Sequence, residues 1–432
     1  PNVSVASSVV ATAVDVNASA NYTISGAGGV SSTGTLTKRG TGTLTLNNTT
    51  ANSFAAISLD EGLLSLGNFG AGGTGKLSLY GGSLFLSAAT GNPLEFNVPT
   101  TVTVGSQQTM TGNWSGNQAV TVNGTNSHLW SLSGTWTNFT GSIQMGTGNV
   151  RLRLNGRSSN TMFGSPNVAV DLGGGTSQLM NRNGGTMEIG SLSATGSGTF
   201  LSGTQTGSAA CTYQIGGKNT DATFAGAIVN GGGATNINKV GTGTWTLTGA
   251  STHTGTTTVS QGALLMDGSL GATAVTVASG ALLGGDGTIG GSVTANAGAI
   301  LSPGTLPFTG ATMNITGGLT LNGNTIYCDM SNTPAGANDK ISVGGTLGLI
   351  GAQYFQFLPL QGPLGAGTYD LITATNSTAS GVSLTHNLPT DSRQTFAVLR
   401  SAAGSNPSKV WLTVTGNPAI LTWTGATNGT WN

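Results

Sequence analysis

Apolar and small polar residues alternate in short runs along the chain. Thr43-Leu44-Thr45-Leu46, Lys76-Leu77-Ser78-Leu79-Tyr80, Ser83-Leu84-Phe85-Leu86 and Thr101-Val102-Thr103-Val104 are early examples. Thr244-Trp245-Thr246-Leu247, Ala274-Val275-Thr276-Val277 and Gly318-Leu319-Thr320-Leu321 follow the same rule. A period of two in runs of four to six residues predicts strands that turn one row of side chains inward and the other outward. Gly or Asn bounds the runs and supplies the positive φ angles that tight corners need. No segment carries helical periodicity, so the pattern predicts an ordered all-β chain.

The runs also repeat. Leu36-Thr37-Lys38-Arg39-Gly40-Thr41-Gly42-Thr43-Leu44-Thr45-Leu46 matches Ile237-Asn238-Lys239-Val240-Gly241-Thr242-Gly243-Thr244-Trp245-Thr246-Leu247 in a Lys-x-Gly-Thr-Gly-Thr-x-Thr-Leu core. About twenty residues on, each is followed by a glycine-containing apolar strand, Glu61-Gly62-Leu63-Leu64-Ser65-Leu66 and Gln261-Gly262-Ala263-Leu264-Leu265-Met266. One order of elements used twice is what stacked coils require, because each coil leaves a flank of its core open until a neighbour covers it.

These units, the passage from Gly280 to Gly304 and the segment Asn338-Asp339-Lys340-Ile341-Ser342-Val343 together resemble the autotransporter-associated β-strand repeat proteins. The resemblance covers most of residues 20–80 and 235–415; between about 85 and 235 the strands are compatible but carry no family motif. It implies a right-handed parallel β-helix, or β-solenoid, exported across the envelope and displayed on the surface of a Gram-negative-type bacterium. From residue 319 prolines and longer aromatic strands such as Gln353-Tyr354-Phe355-Gln356-Phe357 appear, which predicts a C-terminal β-rich module capping the solenoid. The expected organisation is a solenoid over 1–318, a capping module over 319–416, and a terminal strand or fresh repeat unit over 417–432. Ile420 to Asn432 resembles the opening of a unit, so either the polypeptide is expected to continue, the favoured reading, or the terminal strand is expected to pair with the next subunit by strand addition. Pro1 in place of Met is likewise expected to mark a processed or excised segment.

Composition narrows the function. Glycine supplies 73 of 432 residues and charged residues only 6%, yet 37% are hydrophobic, which argues for order over disorder. The 13 basic and 13 acidic residues are thinly spread, so nucleic acid is not an expected partner. A surface of neutral hydroxyls and amides tolerates close self-packing, so the expected partner is a second copy, head-to-tail or lateral. No apolar run has the length of a membrane span. Cys211 shares an alternation face with Tyr213 and Ile215, and Cys328 with Ile326 and Met330, so both are expected as buried free thiols.

Candidate chemistry is sparse. Gly70-Ala71-Gly72-Gly73-Thr74-Gly75-Lys76 approaches a phosphate-binding loop, but Leu77 stands where Ser or Thr is needed and a strand follows where a helix should. It is expected to be a turn. Asp286 among glycines lacks the nine-residue recurrence of calcium-binding repeats. Asp60 and Glu61 would point to opposite faces of an extended segment, and His128, His253 and His386 lack metal-ligand spacing. No catalytic residue, metal or cofactor is therefore expected. Arg151, Arg153 and Arg157 form the one basic concentration, with Arg151 and Arg153 expected on a solvent-facing row and Leu152 and Leu154 inward. They are the candidate contact for an anionic surface glycan. Trp130, Trp136, Trp245 and Trp411 are expected in packing roles, and Trp423 and Trp431 at an assembly interface. The expected function is structural or adhesive display, with a glycan- or protein-binding adhesin and a polysaccharide-degrading β-helix enzyme as alternatives.

Overall fold

The computed structural model describes residues 1–432 except 69, 106–107, 125–128, 155–161, 205–206, 305–309, 390–392 and 419–432. Among the described residues every regular element is a β-strand. The strands stack in parallel as a β-solenoid. Two compact units result, Pro1–Ala274 and Val275–Asn432.

In the first unit the strands fall into three parallel stacks. One contains Tyr22–Gly26, Thr43–Asn48, Leu63–Leu66, Ser83–Leu86, Thr100–Val104 and Ala119–Gly124. A second contains Val30–Arg39, Ser53–Leu59, Lys76–Leu79, Leu94–Phe96, Trp114–Gly116 and Asn138–Phe139. The third runs through Gln108–Met110, Leu129–Leu132, Arg151–Leu154, Gln178–Asn181, Phe200–Thr204 and Ala227–Val229. The alternation sets which residues meet. Leu44, Leu64, Leu84, Val102 and Val122 lie in register on successive coils and are fully buried, so each caps the apolar flank of the one before. Thr45, Ser65, Phe85, Thr103 and Asn123 make the matching outer row.

Aromatic rings fill the interior where the coils change length. Phe96 and Trp114 have ring centroids 5.0 Å apart, Trp114 and Phe139 5.5 Å, and Trp114 and Trp136 stack at 6.1 Å. Trp245 is buried too, its Nε1 donating to the Leu192 carbonyl at 3.0 Å, whereas Trp411 is half-buried. The side chain of Trp130 lies outside the described residues. At the corners, buried asparagines hold the backbone. Asn52 accepts from the Val30 N–H at 2.8 Å and donates to the Ala71 carbonyl at 2.7 Å. Asn92 donates to the carbonyls of Gly72 and Gly75 at 3.0 and 2.7 Å. The glycine-rich loop before Lys76 is thus a turn leading into a strand, its carbonyls taken by Asn92.

In the second unit the coil lengthens along the chain. Val275 pairs with Val293, eighteen residues on, and Val293 with Leu319, twenty-six on. Leu319 pairs with Leu347 and Ile341 with Ile372, twenty-eight and thirty-one on. The added length goes into two 20-residue strands, Lys340–Pro359 and Gly367–His386, which run parallel to each other. Ser408–Thr415 then pairs antiparallel with both Gly367–His386 and Thr395–Arg400. Both cysteines are buried free thiols.

Candidate functional site

The two Lys-x-Gly-Thr-Gly-Thr segments build the same corner. Leu36 and Lys38 lie two apart at the end of strand Val30–Arg39, so alternation turns both inward; Ile237 and Lys239 do the same in Thr235–Lys239. Lys38 and Lys239 are each only 1% exposed. Their stems lie against the apolar interior while each ammonium reaches the bend, a division of the side chain that lysine's four-carbon stem permits. There the three N–H donors meet three carbonyls. Lys38 Nζ donates to Arg39, Gly40 and Glu61 at 2.9, 2.5 and 3.1 Å. Lys239 Nζ donates to Val240, Gly241 and Gln261 at 2.9, 2.9 and 3.1 Å.

Two of the three carbonyls belong to the lysine's own bend and the third to the bend of the next coil. The ammonium therefore ties one coil to the following one. The backbone supports the tie, since Asp60 N–H donates to the Lys38 carbonyl at 2.9 Å and Ser260 N–H to the Lys239 carbonyl at 2.8 Å. Gly40 and Gly241 bend at φ 71° and 69°, and Gly62 and Gly262 on the next coil at 75° and 67°. A Cβ on Gly62 would stand 2.4 Å from the Gly40 carbonyl and 2.8 Å from Lys38 Nζ, so the motif's glycines leave the room that the clamp occupies.

Burial holds both ammonium groups below the usual lysine range, and that of Lys239 is brought down to about 8. At about 8, Lys239 keeps its charge at neutral pH, and both ammonium groups are engaged by three carbonyls, which suits a fastener and not a nucleophile. The alternation rule could have found them, because a lysine on an inward row between leucines or isoleucines must bring its own acceptors. Outside these corners, His253 is fully buried with Nε2 3.0 Å from Thr257 Oγ1, and burial lowers its pKa to about 4. Asp339 accepts from the N–H groups of Ala311 and Asp329, each at 2.8 Å, and burial raises its pKa to about 7. Among the described residues no three His, Cys, Asp or Glu side chains gather where a metal ion could sit.

His253 sets a pH window. Its folded pKa lies below the free value of 6.5, so between about 6.5 and 4 the unfolded chain binds the extra proton. Stability should then fall with acidification by about 1.4 kcal/mol per pH unit from this group. Urea midpoints of the wild type and His253→Gln across that range check this, the variant lacking this part of the slope.

The arginines divide. Arg151 is exposed, as expected, and Leu152 and Leu154 are fully inward. Arg153 corrects the expectation of a solvent-facing pair, for it is 6% exposed. It stands in register with Ser131 and Met180, and Met180 is itself 7% exposed, so this outward row is covered at the level of Arg153. Arg157, Trp423 and Trp431 lie outside the described residues.

Two segments, 36–66 and 237–266, match the sequence model of the passenger-associated-transport-repeat. Each spans one lysine corner and the strand stacked on it, and the match is consistent with autotransporter passenger repeat proteins. No curated protein matches the chain.

Proposed function

We propose that this chain is part of an autotransporter passenger that is carried to the bacterial surface and serves there as a structural or adhesive stalk. The repeats and the solenoid fit a passenger domain. The observation that carries the proposal is the double use of one corner: both matched segments fold into the same three-carbonyl lysine clamp, inside a parallel stack with apolar rows within and hydroxyl and amide rows outside. Such a stack gains rigidity from hydrogen bonds between coils and needs no catalytic step. Its nearly uncharged outer rows favour close packing with a second copy.

Antibodies raised against the purified chain test this on intact source cells. Surface labelling without permeabilisation is the expected result, and filaments or bundles should appear by electron microscopy in material shed from the cells. Labelling confined to permeabilised cells would overturn display, and isolated short rods would overturn the fibre.

A further inference from the structure

We propose that the outer face of the second stack in the first unit binds a neutral polysaccharide, with the Tyr80 ring as a stacking platform and the paired charges beside it as hydrogen-bonding groups for sugar hydroxyls. The case begins with where this sparsely charged chain spends its charge. The first 150 residues hold Asp15, Lys38, Arg39, Asp60, Glu61, Lys76 and Glu95 and no other charged side chain. Lys38 is the buried clamp and Glu61 stands at its corner. The other five lie on the second stack and on strand Val14–Asn17, which pairs with Val30–Arg39.

Register sorts them into adjacent outer rows. Lys38, Leu59, Leu79 and Phe96 are partners on successive coils, so the residues that follow them, Arg39, Asp60, Tyr80 and Asn97, form one row with a rise of about 4.8 Å per coil. Two residues earlier run Asp15, Thr37, Ser58, Ser78 and Glu95. Tyr80 is 54% exposed and is the one exposed aromatic of the first unit among the described residues. Ion pairs hold the groups around it. Arg39 lies 3.4 Å from Asp15 and 3.8 Å from Asp60, whose Oδ1 accepts from the Ser58 hydroxyl at 2.5 Å. Glu95 accepts from the Ser78 hydroxyl at 2.7 Å and from Lys76 at 3.0 Å, which together keep its carboxyl below the ordinary range and ionised. These pairs remain in contact with solvent, so their spare lone pairs and N–H groups stay open to a ligand.

The ligand class follows from this arrangement. Three carboxylates against two cations give nothing for a polyanion to gain, which sets aside nucleic acid and acidic polymers. Tyr80 is the one apolar body on rows that are otherwise polar, too little for the apolar centre of a protein interface. A sugar needs both things present: a flat apolar ring for its C–H face, and fixed polar groups around that ring for its hydroxyls. The face is open and crosses several coils, which suits a length of polymer. This deepens the passenger proposal by naming a surface partner. It rests on that reading only for where the polysaccharide is met, since the purified chain binds or fails to bind wherever it is displayed.

The test is binding of the purified chain to an array of neutral oligosaccharides of glucose, mannose, galactose and N-acetylglucosamine, with dextran sulfate and a short DNA duplex alongside. At least one neutral glycan should bind, with little dependence on salt. Tyr80→Ala should weaken that binding about tenfold and Asp60→Ala several-fold, each with an unchanged thermal midpoint, while Tyr80→Trp keeps a flat ring and retains it. Tyr354→Ala, which removes an exposed ring of the second unit, should bind as the wild type does. Equal binding by Tyr80→Ala or Asp60→Ala overturns the proposal. So does the absence of binding across the neutral array, or tighter binding of dextran sulfate or the duplex.

Discussion

Replacing Lys239 by methionine is expected to destabilise the first unit by about 3 kcal/mol, although it removes a buried charge. Two effects oppose each other. The fall of the Lys239 pKa from 10.5 to about 8 measures what burial costs the ammonium, about 3 kcal/mol, and methionine escapes that cost. Methionine also leaves the carbonyls of Val240, Gly241 and Gln261 without the donor that reaches them at 2.9 to 3.1 Å. A buried acceptor that loses its donor costs about 1–3 kcal/mol; the bond to Gly241 is buried and those to Val240 and Gln261 are part-buried, and the three losses together outweigh the relief. The pH dependence carries the signature. Because the folded pKa is depressed, the wild type gains stability as pH rises from about 8 to 10.5, while the methionine variant lacks that gain. Urea denaturation at pH 7 and pH 10 reads both quantities. Lys76→Met, which removes an exposed ion pair to Glu95, should cost no more than about 0.5 kcal/mol. An unchanged midpoint in Lys239→Met would show that the clamp contributes nothing.

Gly262→Ala should cost more, about 4 kcal/mol, and should disturb the corner itself. Its φ of 67° strains any L side chain. The added Cβ would stand 2.4 Å from the Gly241 carbonyl and 2.6 Å from that of Gly243, distances that only a shift of the coil can relieve. Those same backbone atoms receive Lys239 and the next strand, so the shift spreads into the clamp. Gly280→Ala provides the measure of strain alone. Its φ is 75° but a Cβ there meets nothing within 4 Å, so about 1 kcal/mol is expected. Thermal midpoints of the two variants, with amide exchange at residues 240–263, distinguish contact from strain. Equal losses would refute the close-approach account.

Alternation made the strands legible because each coil buries one row against its neighbours, and a period of two survives whatever the corners do. The residues that close the coils were legible as repeats but not as a mechanism. Lys38 and Lys239 stand on inward rows, yet lysine is read as exposed until its acceptors are placed, and Glu61 and Gln261 are more than twenty residues away. Arg153 fails for a related reason. Outward on a strand is a local property, whereas exposure depends on what lies across the face, and Met180 on the next coil shares the cover. The aromatic stack of Phe96, Trp114, Trp136 and Phe139 joins coils of unequal length, so no fixed spacing announces it. In the second unit, Gln353-Tyr354-Phe355-Gln356-Phe357 is one part of a 20-residue strand that continues past Gly344, Gly345 and Gly351. Glycine there does not end pairing, because a strand in a widening coil can bend at a register shift and carry on.

The parallel register has a kinetic corollary. Most backbone pairs within a unit join residues one turn apart, some eighteen to thirty-one positions along the chain, so ordering one rung requires only the rung already laid down. Such a polymer can crystallise vectorially, like a zip fed from one end, while the remainder is still an unfolded thread. With Cys211 and Cys328 as free thiols, no disulfide closes a covalent loop on that thread while its rungs set in turn.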